Sequence, residues 1–304
     1  MKEPYDLAPD DRADISTRKT LRRLFGTLQS RVDGVVDDAD IEFLHDLRVA
    51  NRRTRSLLSQ IRSVLPAPVV ETFQPEFKWL GDVTGPCRDL DVFLTALDSC
   101  RQRSGAFDPL EGFLREKRNR EHGLICAALR SGRFQCLVDD WGRFLNTATD
   151  QQIRPPLASS PIIDVSGRRI LKAYRRMWKR GKGIDVDPSA ALLHRLRIDG
   201  KKLRYLLEFF SDLYPRSTVT RFIRELKQLQ DILGDFNDTG VQLALIDEFE
   251  DCGDVSAETL AATHLLASSI TERQRQLQAE FLGRFELFAS EASRKLYRET
   301  FKAT

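Results

Sequence analysis

The 304-residue chain has little of what marks secreted, membrane-spanning or disulfide-stabilised proteins. Only five cysteines occur and no two of them form a Cys-x-x-Cys pair, so the sequence indicates neither a disulfide framework nor a zinc-finger spacing. The first residues contain no apolar run, and no stretch of about 18 apolar residues occurs anywhere. We therefore expect a cytoplasmic protein with reduced core cysteines and no membrane association.

Neither sign of charge dominates the chain. It contains 48 Lys and Arg residues against 45 Asp and Glu residues, a net charge of +3, and 41% of its residues are hydrophobic. These proportions are typical of a globular protein with a core, and any basic surface must come from local segregation of charge. Arginine supplies 36 of the 48 cations. Because the planar guanidinium group matches the geometry of phosphate oxygens, this bias favours a phosphate-containing partner.

Sustained strand-like alternation and hairpin turn pairs are also missing. Leu, Ile and Phe recur at intervals of three or four residues over long stretches, which predicts an all-α fold. One proline-rich segment, Ile153–Pro161, cannot continue a helix and lies near the middle of the chain. We therefore predict two helical halves, residues 1–150 and 162–304, that together form one domain.

An internal repeat is the most informative feature of the sequence. The segment from His45 to Leu58 recurs from His194 to Leu207, displaced by 149 positions. The match continues without a gap further along, where residues 78–92 correspond to 227–241. Such extended self-similarity indicates duplication of one helical unit. We predict two pseudo-symmetric helical bundles that face each other.

Each copy of the repeated helix carries a histidine followed by cations on one face. On a helix that advances about 100° per residue, each set falls within one arc of roughly 100°. The sets are His45, Arg48, Arg52 and Arg55 in the first half, and His194, Arg197, Lys201 and Arg204 in the second. Each arc adjoins the apolar face of its helix. Two such helices packed face to face would line a basic central groove, and because like charges repel, this groove would need anions.

The other predicted helices complete each half. The predicted boundaries are 12–34 and 163–182 for the first helix, 40–64 and 188–213 for the histidine helix, and 108–147 and 255–300 for the long C-terminal helix. A third and a fourth helix are expected to meet at Gly85, and again at Gly234, with Asp89 and Asn237-Asp238 at N-cap positions. The alternative is that these acids pair with the basic stripes when the ligand is absent. The first helix of the second half is strongly basic, and we predict that it forms another wall of the groove.

The two histidine motifs, together with Leu229-Gln230-Asp231-Ile232-Leu233-Gly234-Asp235-Phe236-Asn237-Asp238, resemble the CHAD family, the conserved histidine α-helical domain. The resemblance covers essentially the whole chain. It implies two four-helix bundles that face each other across a basic channel, which binds inorganic polyphosphate. The residues assigned to polyphosphate binding are His45, Arg48, Arg52, Arg55, His194, Arg197, Lys201 and Arg204 from the motifs, Arg53 and Lys202 from neighbouring basic positions of the family, and Arg18, Arg22, Lys172, Arg175, Arg176 and Lys179 from the first helices.

The chain departs from the family pattern at two points. Arg88 occupies the position where the pattern has the Asn of an Asn-Asp pair. The Glu-x-Glu-x-Lys signature of the triphosphate-hydrolysing tunnel domain, which is fused to some members, is absent. The second departure argues against an attached hydrolase.

We predict a non-catalytic protein that binds inorganic polyphosphate and requires neither a metal nor a cofactor. No glycine-rich phosphate loop, activated nucleophile or metal-ligand spacing stands out. One alternative is a metal-dependent polyphosphate or nucleotide phosphohydrolase that uses Asp82, Asp89, Asp231 and Asp238. Another is a scaffold protein associated with polyphosphate granules in the cytoplasm.

Nucleic acid is a poorer fit than polyphosphate. Aromatic residues on which bases could stack are not evident on the basic stripes. A bound polyanion would also raise the pKa of His45 and His194, so binding should strengthen as the pH falls toward about 6.5.

Overall fold

The computed structural model describes residues 5–101, 105–147, 155–184, 188–253 and 255–302. These residues form helices joined by short turns and contain no β-strand, apart from a single bridge between Arg12 and Pro161. The predicted all-α fold is confirmed. The helices are α1 (Ala13–Gln29), α2 (Val32–Val36), α3 (Ile41–Gln60), α4 (Ala67–Val83), α5 (Gly85–Arg101), α6 (Asp108–Leu129), α7 (Gly132–Asn146), α8 (Ile162–Gly181), α9 (Ala190–Phe209), α10 (Arg216–Asp251), α11 (Ala257–Ala289) and α12 (Glu291–Phe301).

The helix boundaries repeat with the same offset as the sequence. Both histidine helices have 20 residues, and α9 begins and ends 149 positions after α3 (190 − 41 = 149 and 209 − 60 = 149). The packing repeats as well, since α1 contacts α3 as α8 contacts α9, and α4 contacts α3 as α10 contacts α9. Each half thus places its histidine helix between the same two neighbours.

The halves differ where the third and fourth helices were expected to meet. In the first half α4 ends at Val83 and α5 begins at Gly85, whereas α10 runs unbroken through Gly234. Pro86 explains the difference, because proline has no N–H to donate to the preceding turn and its ring crowds the carbonyl four residues earlier. The equivalent residue, Asp235, has an N–H and continues the helix. The predicted turn at Gly234 is wrong.

Three further expectations about the helices are corrected. Asp89 and Asp238 lie inside α5 and α10 and cap neither helix. Each predicted long C-terminal helix is two helices, because the side chains of Ser131 and Ser290 cap new helices at those points. The first helix of the first half is likewise divided into α1 and α2.

An amide and a glycine exchange places between the halves. Asn51 of α3 faces Gly81 of α4, where a Cβ atom would lie 3.1 Å from its Nδ2 atom. At the equivalent positions the glycine is on the histidine helix. A Cβ atom on Gly200 of α9 would lie 3.6 Å from the Nε2 atom of Gln230 of α10. In both halves an amide side chain packs against a glycine, and because the glycine has no side chain, the histidine helix and its neighbour can approach closely.

The two halves share a core. The main apolar cluster runs without interruption from α1, α3, α4 and α7 into α8, α9, α10, α11 and α12, and α3 packs directly on α9. A second cluster joins α5 and α6 of the first half to α10 and α11. The basic residues between the halves therefore lie beside a packed interface.

The segment between the halves is anchored to the first half by backbone hydrogen bonds. Residues 155–161 contain no helix, as their prolines predict, and Leu157 donates a hydrogen bond of 3.0 Å to the carbonyl oxygen of Ser63. Ile153 and Arg154 of the predicted linker lie outside the described residues. Among the cysteines, Cys87 is buried, but Cys136 and Cys252 are exposed and are not core residues as expected. Within the described ranges, no helix combines the length and the apolar character needed to cross a bilayer.

Candidate anion-binding site

Six cations from three helices converge beside the contact between α3 and α9. Five of them act on the pKa of another member or of a carboxylate between them, and the sixth, Lys201, has its own pKa lowered by three of the others. We call this group the central cluster, and its members are Arg48 and Arg52 of α3, Arg88 of α5, and Arg197, Lys201 and Arg204 of α9. The fold thus gathers five of the motif residues from both halves, and their role in binding an anion stays a prediction.

Arg48 is tied to the end of α4. It donates hydrogen bonds from Nη1 to the Gly81 carbonyl oxygen at 3.0 Å and to the Thr84 hydroxyl at 2.9 Å. Burial lowers its pKa to about 10, and the negative charge of Asp89 opposes that shift. Arg48 is thus a partly buried cation that stabilises the junction between α4 and α5 and also contributes positive charge to the cluster.

Lys201 is the least stabilised cation of the group. Burial lowers its pKa to about 6, and the positive charges of Arg52, Arg197 and Arg204 lower it further. Asp238 is the carboxylate that opposes this shift. Arg197 is similar, because burial lowers its pKa and its Nε atom has no hydrogen-bond partner in the described part of the chain. Both side chains have been partly removed from water without full compensation.

Two carboxylates related by the repeat lie among these cations. Asp89 and Asp238 are 149 positions apart, and each acts on the pKa of Arg197 (238 − 89 = 149). Burial raises the pKa of Asp89, as does the nearby Asp238, while Arg48 lowers it. At the rim, Glu42 lies 3.8 Å from Arg88 and Glu208 lies 3.4 Å from Arg204. Five guanidinium groups and Lys201, whose low pKa leaves it mostly uncharged at pH 7 without a ligand, therefore face four carboxylates, one of which is shared.

The shared carboxylate belongs to Glu208, and its other partner is Arg53. The Nη1 atom of Arg53 lies 2.9 Å from Glu208 Oε2, and the guanidinium lies over the Phe209 ring at 5.0 Å. Arg53 is 5% exposed, so it is a buried structural ion pair. The assignment of Arg53 to polyphosphate binding is not supported.

The histidines and Arg55 lie at the edges of the cluster. His45 is half-buried, and its pKa is lowered by burial and by the charge of Arg88. His194 is exposed on the N-terminal half of α9. Arg55 rests against Gly81, where a Cβ atom would lie 2.6 Å from its Nη1 atom. The cluster can thus extend through these three residues along both histidine helices.

The side chains of Arg18 and Arg22 contact the end of α7 and lie outside the central cluster. Arg18 is buried and donates hydrogen bonds to the carbonyl oxygens of Phe144 and Thr147, at the end of α7. Arg22 donates to the carbonyl oxygen of Leu145. Cations at a helix C-terminus satisfy carbonyl groups that lack helical partners. Arg18 and Arg22 therefore contact the end of α7 and do not join the central cluster.

The basic side of α8 is not a wall of the central cluster. Arg176 and Arg180 lie 3.2 and 2.7 Å from the carboxylate of Asp199. Asp199 follows Arg197 by two residues, so it projects from α9 about 200° away from it. Lys202 faces the same way, because Arg176 and Arg180 are among the charges that lower its pKa after burial. Lys172, Arg175, Arg176, Lys179 and Lys202 therefore belong to a separate surface.

The sequence reasoning missed the part played by Arg88. In the sequence Arg88 is only a departure from the family pattern, yet it lies close enough to His45, Arg48 and Asp89 to act on their pKa values. Its position one residue before Asp89, on a helix facing α3, was the available signal. Asp82 and Asp231 do not join Asp89 and Asp238. Asp82 pairs with Lys78 at 2.6 Å, and Asp231 is exposed.

The described residues contain no group of three or more His, Cys, Asp or Glu side chains arranged to hold a metal ion. The chemistry of the cluster is consequently that of a partly desolvated cationic surface. Such a surface attracts an anion with several charges along its length.

Comparisons with known proteins agree with the sequence motifs. The profile of the CHAD domain matches residues 19–247. The uncharacterized protein Rv2226 of Mycobacterium tuberculosis is 27% identical over 211 residues, which cover 65% of this chain and 38% of that protein. The chain thus spans less than half the length of this curated relative.

Two solved structures share the fold. The CHAD domain from the plant Ricinus communis superposes with a TM-score of 0.71 at 24% identity, covering 100% of this chain and 98% of that one. PptA from Streptomyces chartreusis gives a TM-score of 0.71 at 16% identity, covering 91% and 100%. At these identities the likeness shows a common fold.

Proposed function

The chain belongs to the CHAD domain family, and on that premise we propose that it binds inorganic polyphosphate in the central cluster and does not hydrolyse it. The observation that carries the proposal is the convergence of cations from both halves on a partly buried site with too few carboxylates. A fold stabilised only by its own contacts would gain from replacing such residues. An anionic ligand supplies the charge that is missing.

A linear polyanion suits the arrangement better than a single phosphate. The cations extend along two packed helices and come from three elements, so their charges are spread over a surface. A chain of phosphates can contact several of them at once and releases counterions from its own length as it binds. The affinity should therefore fall steeply as salt increases.

Binding without turnover is supported by the state of the two inner carboxylates. Asp89 and Asp238 act as counter-charges to Arg48 and Arg197. Carboxylates engaged in this way hold cations in place, which favours a role in charge balance over one in positioning a metal for phosphoryl transfer. We therefore propose that Asp89 and Asp238 balance the positive charge of the cluster when no ligand is bound.

Titration with long-chain polyphosphate at two salt concentrations tests the proposal. The test variant is Arg197→Gln/Lys201→Gln, and the matched control is Arg120→Gln/Arg275→Gln, which removes two exposed cations of α6 and α11. We expect the control to bind like the wild type and the test variant to lose most of its affinity and some of its salt dependence. Equal binding by all three proteins would refute the site.

Release of orthophosphate from the same polyphosphate in the presence of Mg²⁺ or Mn²⁺ would instead support a phosphohydrolase. Association with isolated granules that does not depend on salt would support a scaffold role.

A further inference from the structure

A second cationic surface lies on α8. This helix carries seven Lys and Arg residues and one Asp residue, whereas the whole chain has 48 cations against 45 anions. Six of the cations line an open depression of about 650 Å³. We call this surface the α8 face, and its residues are Arg168, Lys172, Arg175, Arg176, Lys179 and Arg180.

Like charges follow one another at helical spacing along the α8 face. Arg168 and Lys172 are four residues apart, as are Arg175 and Lys179, and all four are exposed or nearly so on one narrow arc. Cations at this spacing repel and destabilise a helix. The arc extends for about 17 Å along the helix axis. Solvent and small counterions screen these exposed charges, and an anion of similar length would displace the counterions.

Neutralisation within the protein is confined to one side of the α8 face. Asp199, 3% exposed, binds Arg176 and Arg180. In the described part of the chain, Lys172, Arg175 and Lys179 have no carboxylate within ion-pair distance. This asymmetry leaves an uncompensated cationic strip on the outer side of the helix.

Two adjacent lysines of α9 join the α8 face to the central cluster. Successive residues of a helix project about 100° apart. Lys201 is therefore directed to the central cluster, while Lys202 is influenced by Arg176 and Arg180 of the α8 face. The surface of α9 between them is accessible, since both His194 and Ile198 are exposed.

We propose that the α8 face is a second contact surface for polyphosphate, which a long chain reaches by crossing α9 from the central cluster. The inference rests on the proposed function, because it assumes that polyphosphate occupies the central cluster. A chain must cross the width of a helix, about 10 Å, and still contact cations on both sides. Tripolyphosphate is too short for this, so it occupies one surface at a time.

The experiment compares tripolyphosphate with long-chain polyphosphate on three full-length proteins. The test variant is Lys172→Gln/Arg175→Gln, and the control is again Arg120→Gln/Arg275→Gln, which has the same change in charge. All four residues are exposed, and circular dichroism verifies that the helices are retained. We expect the test variant to bind tripolyphosphate at the central cluster like the control but to bind the long chain more weakly. The plot of log affinity against log salt should become shallower by about 1.4 for two lost contacts, by analogy with single-stranded nucleic acid.

Each other outcome overturns the inference in a recognisable way. If the test variant and the control bind the long chain with the same affinity and salt dependence, polyphosphate does not contact the α8 face. If the test variant loses binding to single-stranded DNA while its binding of long polyphosphate is unchanged, the α8 face recognises nucleic acid. If the wild type binds neither phosphate probe, the proposed function itself fails.

Discussion

The Nε atom of Arg52 donates a hydrogen bond of 2.7 Å to the hydroxyl oxygen of Tyr205, and this contact joins the histidine helices of the two halves. A second contact, from Gln60 Nε2 to the carbonyl oxygen of Lys202 at 3.0 Å, lies near the C-terminal end of α3. The interface thus fixes the position of one cation of the central cluster. Residues from both halves must be packed together for the cluster to form.

Replacing Tyr205 with Phe should loosen this arrangement. The variant keeps the ring but removes the acceptor, so Arg52 loses a partner at a partly buried site. We expect the free energy of unfolding to fall by about 1 kcal/mol and the affinity for polyphosphate to fall only slightly. Urea denaturation and a polyphosphate titration measure the two effects. A large loss of affinity without a change in stability would mean that the hydroxyl contacts the ligand itself.

Replacing Lys201 with Met should stabilise the ligand-free protein. Because the folded-state pKa of Lys201 is about 6 and the unfolded chain holds the proton up to about pH 10.4, the wild type loses stability as the pH falls through this range. We expect Lys201→Met to raise the free energy of unfolding by about 1–2 kcal/mol at neutral pH. The gain should shrink toward pH 10.

The same variant should bind polyphosphate more weakly, because it has lost a positive charge at the site. A rise in the free energy of unfolding together with a fall in affinity distinguishes a cation that binds the ligand from one that supports the fold. A decrease in both quantities would show that Lys201 supports the fold. Thermal unfolding with and without polyphosphate measures both.

Binding should be coupled to proton uptake. In the ligand-free protein Lys201 is neutral at pH 7, and burial also lowers the pKa of His45. A bound polyanion raises the pKa values of both groups, so each complex should take up about one proton or more at pH 7. The affinity should therefore increase as the pH falls from 8 to 6, by up to about tenfold per pH unit for each proton taken up.

Calorimetric titrations in buffers with different ionisation enthalpies count these protons directly. The variant Lys201→Met is the control and should take up fewer. Identical proton uptake in the variant and the wild type would exclude Lys201 as the source of the coupling. Long chains are needed for this measurement, so that the terminal phosphates contribute little.

Removing the two inner carboxylates should strengthen binding. Asp89 and Asp238 occupy the cluster with the same sign of charge as the ligand. We expect Asp89→Asn/Asp238→Asn to bind polyphosphate about tenfold more tightly, which is ~1.4 kcal/mol. The prediction would be contradicted if the wild type bound polyphosphate only with divalent cations and the variant no longer bound it. That result would indicate that the two carboxylates hold a metal.

The sequence determined the helices of this protein and the residues that form the cationic stripes. Periodicity at three and four residues predicted the all-α fold, and the offset of 149 positions between His45 and His194 recurs in the boundaries of α3 and α9. Local signals were weaker where helices begin or end. Pro86 separates α4 from α5, whereas the equivalent segment of the second half continues as one helix, α10. The glycines at positions 85 and 234 occur in both halves and could not by themselves reveal this contrast.

Only the tertiary structure decided which cations share a surface. Arg53 lies next to Arg52 in sequence, yet it projects about 100° away, and the packing of α3 on α9 buries it with Glu208. The side of α8 was equally basic in sequence, but its position relative to α9 separates it from the central cluster. The physical reason is that the helical pattern fixes the direction of a side chain relative to its own axis, whereas its charge environment depends on which helices pack around it.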